Sequence, residues 1–216
     1  MNQSAGNKSN TVILIVIITI SVMIIGFGIY WFTRNSIDTK TVDATNTTNA
    51  TTNANVNTNT VTADGLYVGD DFTIIQPAGW VQGQIPGTLA SFQNIKESHA
   101  TDSAAAKINF KSYIAVSFDN TNGKTLDQVY QTTVDGITSS IPSVKTIAAS
   151  NEIVNGLQAK FVVMELNQQD VAYTVLAAVY FGDGKYYVVS FNTTTEKWIG
   201  YKDKFYEVAR SFKLKK

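Results

Sequence analysis

The stretch AYTVLAAVYFGDGKYYVVSFN, residues 172–192, contains two apolar runs separated by a break at residues 182–184 with two glycines. Runs rich in β-branched and aromatic residues, joined by a short glycine-containing break, predict a β-hairpin. In the first run both alternating sets of side chains are apolar, with Tyr173 in one set and Leu176 in the other. We therefore expect this hairpin to lie inside a sheet that is covered on both faces.

Further strand patterns precede this hairpin in the chain. The pair Asn155-Gly156 is a strong signal for a two-residue turn, and it joins the runs SNEIV and LQAKFVVMEL. A nearly continuous apolar run at 112–118 predicts another buried strand, and shorter strands are predicted at 72–76 and 89–93. Residues 95–107 are small and polar, and this composition predicts a loop with at most a helical turn.

Two helices complete the predicted domain. The first begins after Thr125, which forms a T-x-x-Q capping box with Gln128, and it ends before Pro142. The second lies near the end of the chain and has one packing stripe with spacings of three and four residues. That stripe consists of Trp198, Tyr201, Phe205, Val208 and Phe212. Thr193 or Thr195 is expected to cap its start.

The chain divides into four regions. Residues 1–10 form a short tail, and residues 11–33 form an apolar run without a charged side chain. At about 1.5 Å per helical residue, this run is long enough to cross a hydrocarbon core of about 30 Å, and it predicts a transmembrane helix. Residues 34–64 are rich in Asn and Thr and predict a disordered linker. Residues 65–216 remain for a globular domain.

The apolar run predicts an uncleaved anchor in the cell membrane. It exceeds the roughly 7–15 residues of a signal-peptide core, and the chain has no cysteine for lipid attachment. We expect the N-terminus in the cytoplasm and the domain outside. The lysine and arginine counts on the two sides slightly favour the opposite orientation, whereas the uncharged linker favours this one. The 17 basic and 17 acidic residues balance, so we expect no nucleic-acid partner.

Several segments resemble, in order and spacing, those of a PsbP-like domain over about Tyr67 to Lys216. They are FTIIQPAGW, SYIAVSFDN, TLDQVYQTTVDGI, IVNGLQAKF, the hairpin quoted above and the closing ARSFKLK. This resemblance implies an α+β fold, with an α/β/α sandwich around a mainly antiparallel sheet. The chain departs from the photosynthetic members by its apolar anchor and Asn/Thr linker, which replace a transit peptide or a lipid-bearing cysteine.

The resemblance also implies a non-catalytic role. The best-known member of the family is an extrinsic subunit that stabilises the oxygen-evolving side of photosystem II, and the same fold serves a factor that binds the GTPase Ran. Our leading hypothesis is therefore a membrane-anchored domain outside the cytoplasm that binds or stabilises a protein partner. A cell-envelope module that recognises a small ligand or glycan is the alternative.

Candidate site residues are few. Glu97, His99 and Asp102 are close in sequence and carry metal-ligating groups, but a structural metal site needs about four rigidly held ligands. A solvated surface loop is the preferred interpretation of this segment. Trp80 and Tyr186 are candidates for contacts with a partner, although packing in the core is favoured for both.

A hydrolase is the third hypothesis. It would need a pair of carboxyl groups about 5–9 Å apart in a cleft, and candidates for such a pair are Asp70, Asp71, Asp119 and Glu152. Surface charge is the favoured interpretation of these acids. The sequence contains no phosphate-binding, dinucleotide-binding or G-x-S-x-G motif, so we predict no cofactor and no catalytic residue.

Overall fold

The computed structural model describes residues 60–182 and 184–215. Within these ranges the chain forms short and long β-strands and three α-helices. The strands are β1 (Thr60–Val61), β2 (Leu66–Val68), β3 (Phe72–Ile75), β4 (Val81–Gln82), β5 (Ala90–Gln93), β6 (Tyr113–Asn120), β7 (Lys145–Val154), β8 (Leu157–Gln168), β9 (Val171–Gly182), β10 (Lys185–Thr194) and β11 (Lys213–Leu214). The helices are α1 (Ala104–Lys107), α2 (Leu126–Ser140) and α3 (Thr195–Ser211).

The main sheet has seven strands in the order β4-β5-β6-β10-β9-β8-β7, and all of its pairs are antiparallel. The hairpin β9–β10 lies at its centre, as its two apolar faces predicted. A smaller sheet has the order β1-β2-β3-β11. The structure therefore confirms a mainly antiparallel α+β fold.

The two longer helices pack against opposite faces of the main sheet. On one face Phe205 of α3 and Phe212, directly after its end, are fully buried, and the Phe212 ring stacks on Tyr180 of β9 with centroids 4.4 Å apart. On the other face Ile137 of α2 joins a cluster that contains Val175 of β9. Because both faces of the central strands are covered, their side chains are apolar in both alternating sets.

The helix starts differ in how well the sequence predicted them. Thr125 and Gln128 form the predicted capping box at the start of α2. The prediction for α3 is wrong, because its N-cap is Thr194, whose side chain makes no capping hydrogen bond. Thr193 and Thr195 are occupied elsewhere: the Thr193 hydroxyl accepts from Ser112, and Thr195 accepts from Thr174.

Two boundaries also differ from the predictions. Strand β7 begins at Lys145, well before the predicted start at Ser150, and a bulge lies between Thr146 and Ala148. Strand β1 pairs with β2, so residues 60 and 61 of the predicted linker, 34–64, belong to a strand. The predicted loop at 95–107 ends in the single helical turn of α1, as the sequence allowed, and the Ser103 hydroxyl caps this turn.

The predicted anchor, residues 11–33, lies outside the described residues. Within the part of the chain that is described, no helix is both long and apolar enough to cross a bilayer.

Candidate functional site

A buried polar cluster lies where the chain leaves β5. The Glu97 side chain, only 2% exposed, accepts hydrogen bonds from the Tyr201 hydroxyl at 2.5 Å and from the backbone N–H of Ser112 at 3.3 Å. The Tyr201 oxygen accepts in turn from the Asn94 side-chain amide at 2.8 Å. Because Tyr201 lies in the first turns of α3, the cluster ties the segment between β5 and β6 to that helix.

Tyr201 and Lys111 complete the polar surroundings of Glu97. Burial and the hydrogen bond to Glu97 together raise the pKa of Tyr201 to about 12. The phenol is therefore a proton donor at neutral pH. Lys111 donates from Nζ to the main-chain carbonyl of Glu97, which brings a positive charge next to the cluster. These contacts satisfy the glutamate instead of presenting it to a substrate.

His99 belongs to this cluster and not to a solvated loop, so that prediction is wrong. Its side chain is 3% exposed and lies against the Phe110 ring, 6.0 Å between centroids. Its Nε2 lies 3.1 Å from Glu97 Oε1 and 3.0 Å from the Phe110 carbonyl oxygen. Both of these oxygens accept, so Nε2 carries the hydrogen. Asp102 is exposed, and the described residues contain no group of three or more metal-ligating side chains.

The two aromatic candidates lie in the core. Trp80 is 6% exposed and contacts the rings of Tyr201 and Phe205 edge-on, at 5.8 and 6.0 Å between centroids. Tyr186 is 7% exposed, and its hydroxyl donates to Asp119 Oδ2 at 3.3 Å. In this conformation neither ring presents an open surface to a partner.

The four acidic candidates have separate surroundings. Asp71 pairs with Lys185 at 3.3 Å, Asp119 accepts from Tyr186, Glu152 accepts two hydrogen bonds of 3.0 Å from Arg210, and Asp70 is exposed. These contacts give each bonded acid its own partner.

A cavity of about 400 Å³ opens beside β4 and β5. It is lined by Tyr67, Gln82, Gly83, Gln84, Thr88 and Ser91, together with three apolar neighbours, and none of the lining residues is charged. The Ser91 side chain is buried, and its hydroxyl has no hydrogen-bond partner among residues 60–182 and 184–215. Gly83 donates its N–H to the Ser91 carbonyl at 2.9 Å, and this bond fixes the wall above the serine.

The opposite edge of the main sheet is formed by β7, which among the described residues has a neighbouring strand on one side only. Eight of its ten residues are exposed, and only Glu152 and Val154, near its end, are covered. Two large apolar side chains are exposed there, Ile147 at 54% and Ile153 at 72%. An open strand of this length can pair with an extended segment of another chain.

Sequence reasoning missed both the cavity and the open edge. Residues 145–151 lack apolar alternation, and this absence was a usable signal for a strand with no covered face. For the cavity, the glutamines and glycines at 82–87 predict only an irregular polar segment. The burial of Ser91 depends on other segments of the same chain that pack against it, and no local sequence pattern indicates it.

Residues 66–214, more than half of the chain, match the sequence profile of the PsbP family. The chain belongs to the PsbP family. PsbP domains are generally non-catalytic, and the family therefore favours a binding domain over an enzyme. No curated protein matches the chain.

Two solved structures are similar to this chain at low sequence identity. A cyanobacterial PsbP, CyanoP from Synechocystis sp. PCC 6803, is 21% identical with a TM-score of 0.49, over 71% of this chain and 89% of that one. LpqN of Mycobacterium tuberculosis, described as involved in cell envelope biogenesis, is 12% identical with a TM-score of 0.52, over 67% of this chain and 83% of that one. The likeness to LpqN shows the fold alone.

Proposed function

We propose that this PsbP-family chain is a non-catalytic binding domain, tethered to the outer face of a cell membrane, that binds a protein partner through β7. The partner would add an extended segment to the open edge of the main sheet. The observation that carries this proposal is the exposure of eight of the ten residues of β7.

Strand addition suits this edge for a physical reason. Pairing along ten residues supplies a row of main-chain hydrogen bonds, while alternate side chains give specificity. Ile147 and Ile153 supply apolar surface, and burying them against a partner would contribute about 25 cal/mol for each Å² removed from water. Lys145 and Glu152 near the two ends would help to set the register.

The tether follows from the amino-terminal sequence. Residues 11–33 would insert into the membrane, and the Asn/Thr-rich segment after them would act as a flexible spacer. A flexible chain of thirty residues spans about 30 Å on average, which is enough to keep β7 clear of the lipid headgroups. Such a spacer gives the domain reach while it confines the search for a partner to the membrane surface.

Photo-crosslinking of the full-length protein in its own membrane tests the docking surface. A photoreactive amino acid in place of Asn151 should give a discrete protein adduct, and the same amino acid in place of Gly200 on α3 should not. Adding Ile153→Lys should reduce the adduct at least tenfold, whereas Ile199→Lys, at an 87% exposed position, should leave it unchanged. Equal adducts at positions 151 and 200, or no effect of Ile153→Lys, would contradict the proposal.

A pair of proline variants tests pairing through the backbone. Ser150 and Asn151 are consecutive, so one N–H points at β8 and the other at the open edge. The proline that replaces the residue whose N–H faces the open edge should keep a native thermal transition, whichever of Ser150→Pro and Asn151→Pro this is. With the photoreactive amino acid in place of Ile147, that folded variant should nevertheless lose the adduct. If the variant that stays folded also keeps the adduct, the partner does not pair through main-chain hydrogen bonds.

The tether has its own test. Full-length protein should remain with membranes during alkaline carbonate extraction, and protease added to intact cells should digest the domain. Release by carbonate would refute the anchor, and protection of the domain would refute its orientation. Neither result depends on the identity of the partner.

A further inference from the structure

We infer that the partner that adds a strand to β7 is a second copy of this chain. The two β7 strands would run antiparallel across a two-fold axis and join the two seven-stranded sheets into one. This inference rests on the proposed function, because it names the protein that docks at the open strand. Each copy would keep its β4 edge at an outer end of the joined sheet.

The central part of β7 lacks the side chains that usually block strand addition. Natural edge strands are protected by lysine, by proline, by inward-pointing charges or by bulges. Residues 146–151, TIAASN, contain no charge and no proline, and all of them are exposed. A bulge is present, but it lies between Thr146 and Ala148, at the start of this run. From Ala148 onward the strand is regular and open to a second strand.

Two-fold symmetry limits the registers in which two β7 strands can pair. In such a contact, if residue i of one copy lies opposite residue j of the other, then j also lies opposite i. Outward-facing N–H and C=O groups recur at every second residue of an edge strand, so the axis passes through a residue and not between two residues. The residues near the middle of β7 are Ala149, Ser150 and Asn151.

The two exposed isoleucines select the axis through Ser150. One lies three residues before it and the other three residues after it, so Ile147 of each copy falls opposite Ile153 of the other. These side chains are 54% and 72% exposed, and pairing them removes apolar surface from water at both ends of the contact. The bulge beside Ile147 lies at the end of this ladder, outside its regular part.

The neighbouring registers match the side chains less well. An axis through Ala149 sets Ile153 opposite the charged Lys145 of the other copy. An axis through Asn151 sets Ile147 opposite the turn that follows β7, where the strand has ended. Only the register through Ser150 places apolar side chains opposite each other at both ends.

This register also avoids opposing like charges. Glu152 lies opposite Ala148 of the other copy, and its carboxylate keeps both hydrogen bonds from Arg210 of its own α3. At the axis the small Ser150 side chains allow the two backbones to approach to the usual strand spacing of about 4.8 Å. A second copy therefore fits the edge without displacing an existing contact of the carboxylate.

Tethering makes a contact of this size sufficient. Stable dimers of free proteins usually bury about 1,200–2,000 Å², more than one pair of strands supplies. Copies held at the same membrane surface meet at a raised effective concentration, so they pair at an affinity that would be too weak in solution. The test must therefore keep the full-length chain in a bilayer.

Photo-crosslinking of purified full-length protein tests the identity of the partner. Two preparations with different epitope tags are reconstituted together in liposomes at a low protein-to-lipid ratio, and one carries the photoreactive amino acid in place of Asn151. The expected product has twice the mass of the chain and contains both tags. An adduct with another protein in the native membrane, without a doubly tagged product in liposomes, would overturn the second copy and leave the docking edge standing. No adduct in either preparation would overturn both.

Two charge variants test the register. Ile147→Glu and Ile153→Lys should each reduce the doubly tagged product about tenfold, because each sets a charge opposite an isoleucine at both ends. A mixture of one variant with the other should restore the product, since the introduced charges then meet at one end and the isoleucines meet at the other. Ile199→Lys on α3, 87% exposed, should neither reduce nor restore it. A mixture that pairs no better than the single variants would overturn this register.

Cysteine variants locate the axis. The chain contains no cysteine, so a single introduced thiol forms a disulfide only with another copy. Ser150→Cys sets two thiols directly opposite each other, with Cβ atoms about 4.5–5.5 Å apart, and mild oxidation should link the copies. Thr146→Cys is the matched control on the same exposed strand, because its two thiols would lie about 26 Å apart along the ladder. Equal disulfide yields from the two variants, or none from Ser150→Cys, would overturn the axis.

Discussion

The two edges of the seven-stranded sheet are built in opposite ways. At one edge β4 is two residues long, and all four residues of its neighbour β5 are buried beneath covering segments. At the other edge β7 is ten residues long, and eight of them are exposed. The first edge is a very short strand backed by a fully buried one, whereas the second is a long exposed strand. We call the region of β4, β5 and the Glu97 cluster the closed edge, and β7 the open edge.

Two glutamates show what the difference means energetically. Glu97, near the β4 edge, is 2% exposed and receives hydrogen bonds from α3, from the backbone and from His99. Glu152 in β7 is 23% exposed and pairs with Arg210, which is 55% exposed. Buried polar contacts are costly to break, and solvated ones are nearly replaceable by water. The closed edge therefore contributes stability, and the open edge is free to serve binding.

The largest expected effect is that of Glu97→Ala. The substitution leaves the Tyr201 hydroxyl and the Ser112 N–H without their acceptor and removes one of the two acceptors of His99 Nε2. It should cost about 3–5 kcal/mol in the free energy of unfolding. Urea denaturation followed by circular dichroism would measure the loss. Glu207→Ala, at an exposed position in α3, is the matched control and should change stability by less than about 0.5 kcal/mol. Equal losses for the two variants would remove the energetic distinction between the edges.

Tyr201→Phe should have the next largest effect. It removes the 2.5 Å hydrogen bond to Glu97 and keeps the ring that contacts Trp80. A hydrogen bond to a charged group is worth about 1.5–3 kcal/mol, so a loss in this range is expected from denaturation curves. Tyr206→Phe in the same helix, where the ring is half-buried, serves as the control. A neutral result for Tyr201→Phe would mean that water replaces the phenol at the cluster.

Alkaline pH should lower the contribution of Tyr201 to the free energy of unfolding. Burial raises the pKa of Tyr201 from about 10 to about 12. Because the folded value is the higher one, this phenol contributes its full stability below pH 10 and loses it as the pH rises through about 12. The slope is at most about 1.4 kcal/mol per pH unit, and solvent screening of the half-buried ring should reduce the total to about 1–2 kcal/mol.

Unfolding measured between pH 8 and pH 12 tests this dependence. The difference in stability between the parent and Tyr201→Phe should shrink above pH 10, because the variant has no phenol to ionise at this position. Absorbance near 295 nm would follow tyrosine ionisation in the same samples. A constant difference across the range would show that Tyr201 has the same pKa in the folded and unfolded states, so that folding does not raise it.

How far the sequence predicts this molecule depends on whether the signal is local. The hairpin β9–β10 and the capping box at Thr125 were predicted because alternation and capping are encoded by neighbouring residues. The burial of His99 and Ser91 was not, because it depends on tertiary contacts, such as that of His99 with the Phe110 ring. Short polar segments such as 95–99 look solvated until the tertiary contact, here Tyr201 of α3, is known.

Glu152→Gln should have the smallest effect and gives the sharpest contrast with Glu97. It keeps the size of the side chain and weakens the two 3.0 Å hydrogen bonds from Arg210. Exposed ion pairs contribute about 0.2–1 kcal/mol, so the loss of stability should stay below about 1 kcal/mol. Since salt screens exposed charges within about 3 Å at 1 M, the difference between Glu152→Gln and the parent should also fall when urea denaturation is repeated in 1 M NaCl. Glu97→Gln, measured under the same two conditions, should cost more than Glu152→Gln, and its cost should depend less on salt because water reaches that pair poorly. If the two glutamine variants behaved alike in both solutions, the edges would be energetically equivalent, and the openness of β7 would be a matter of shape alone.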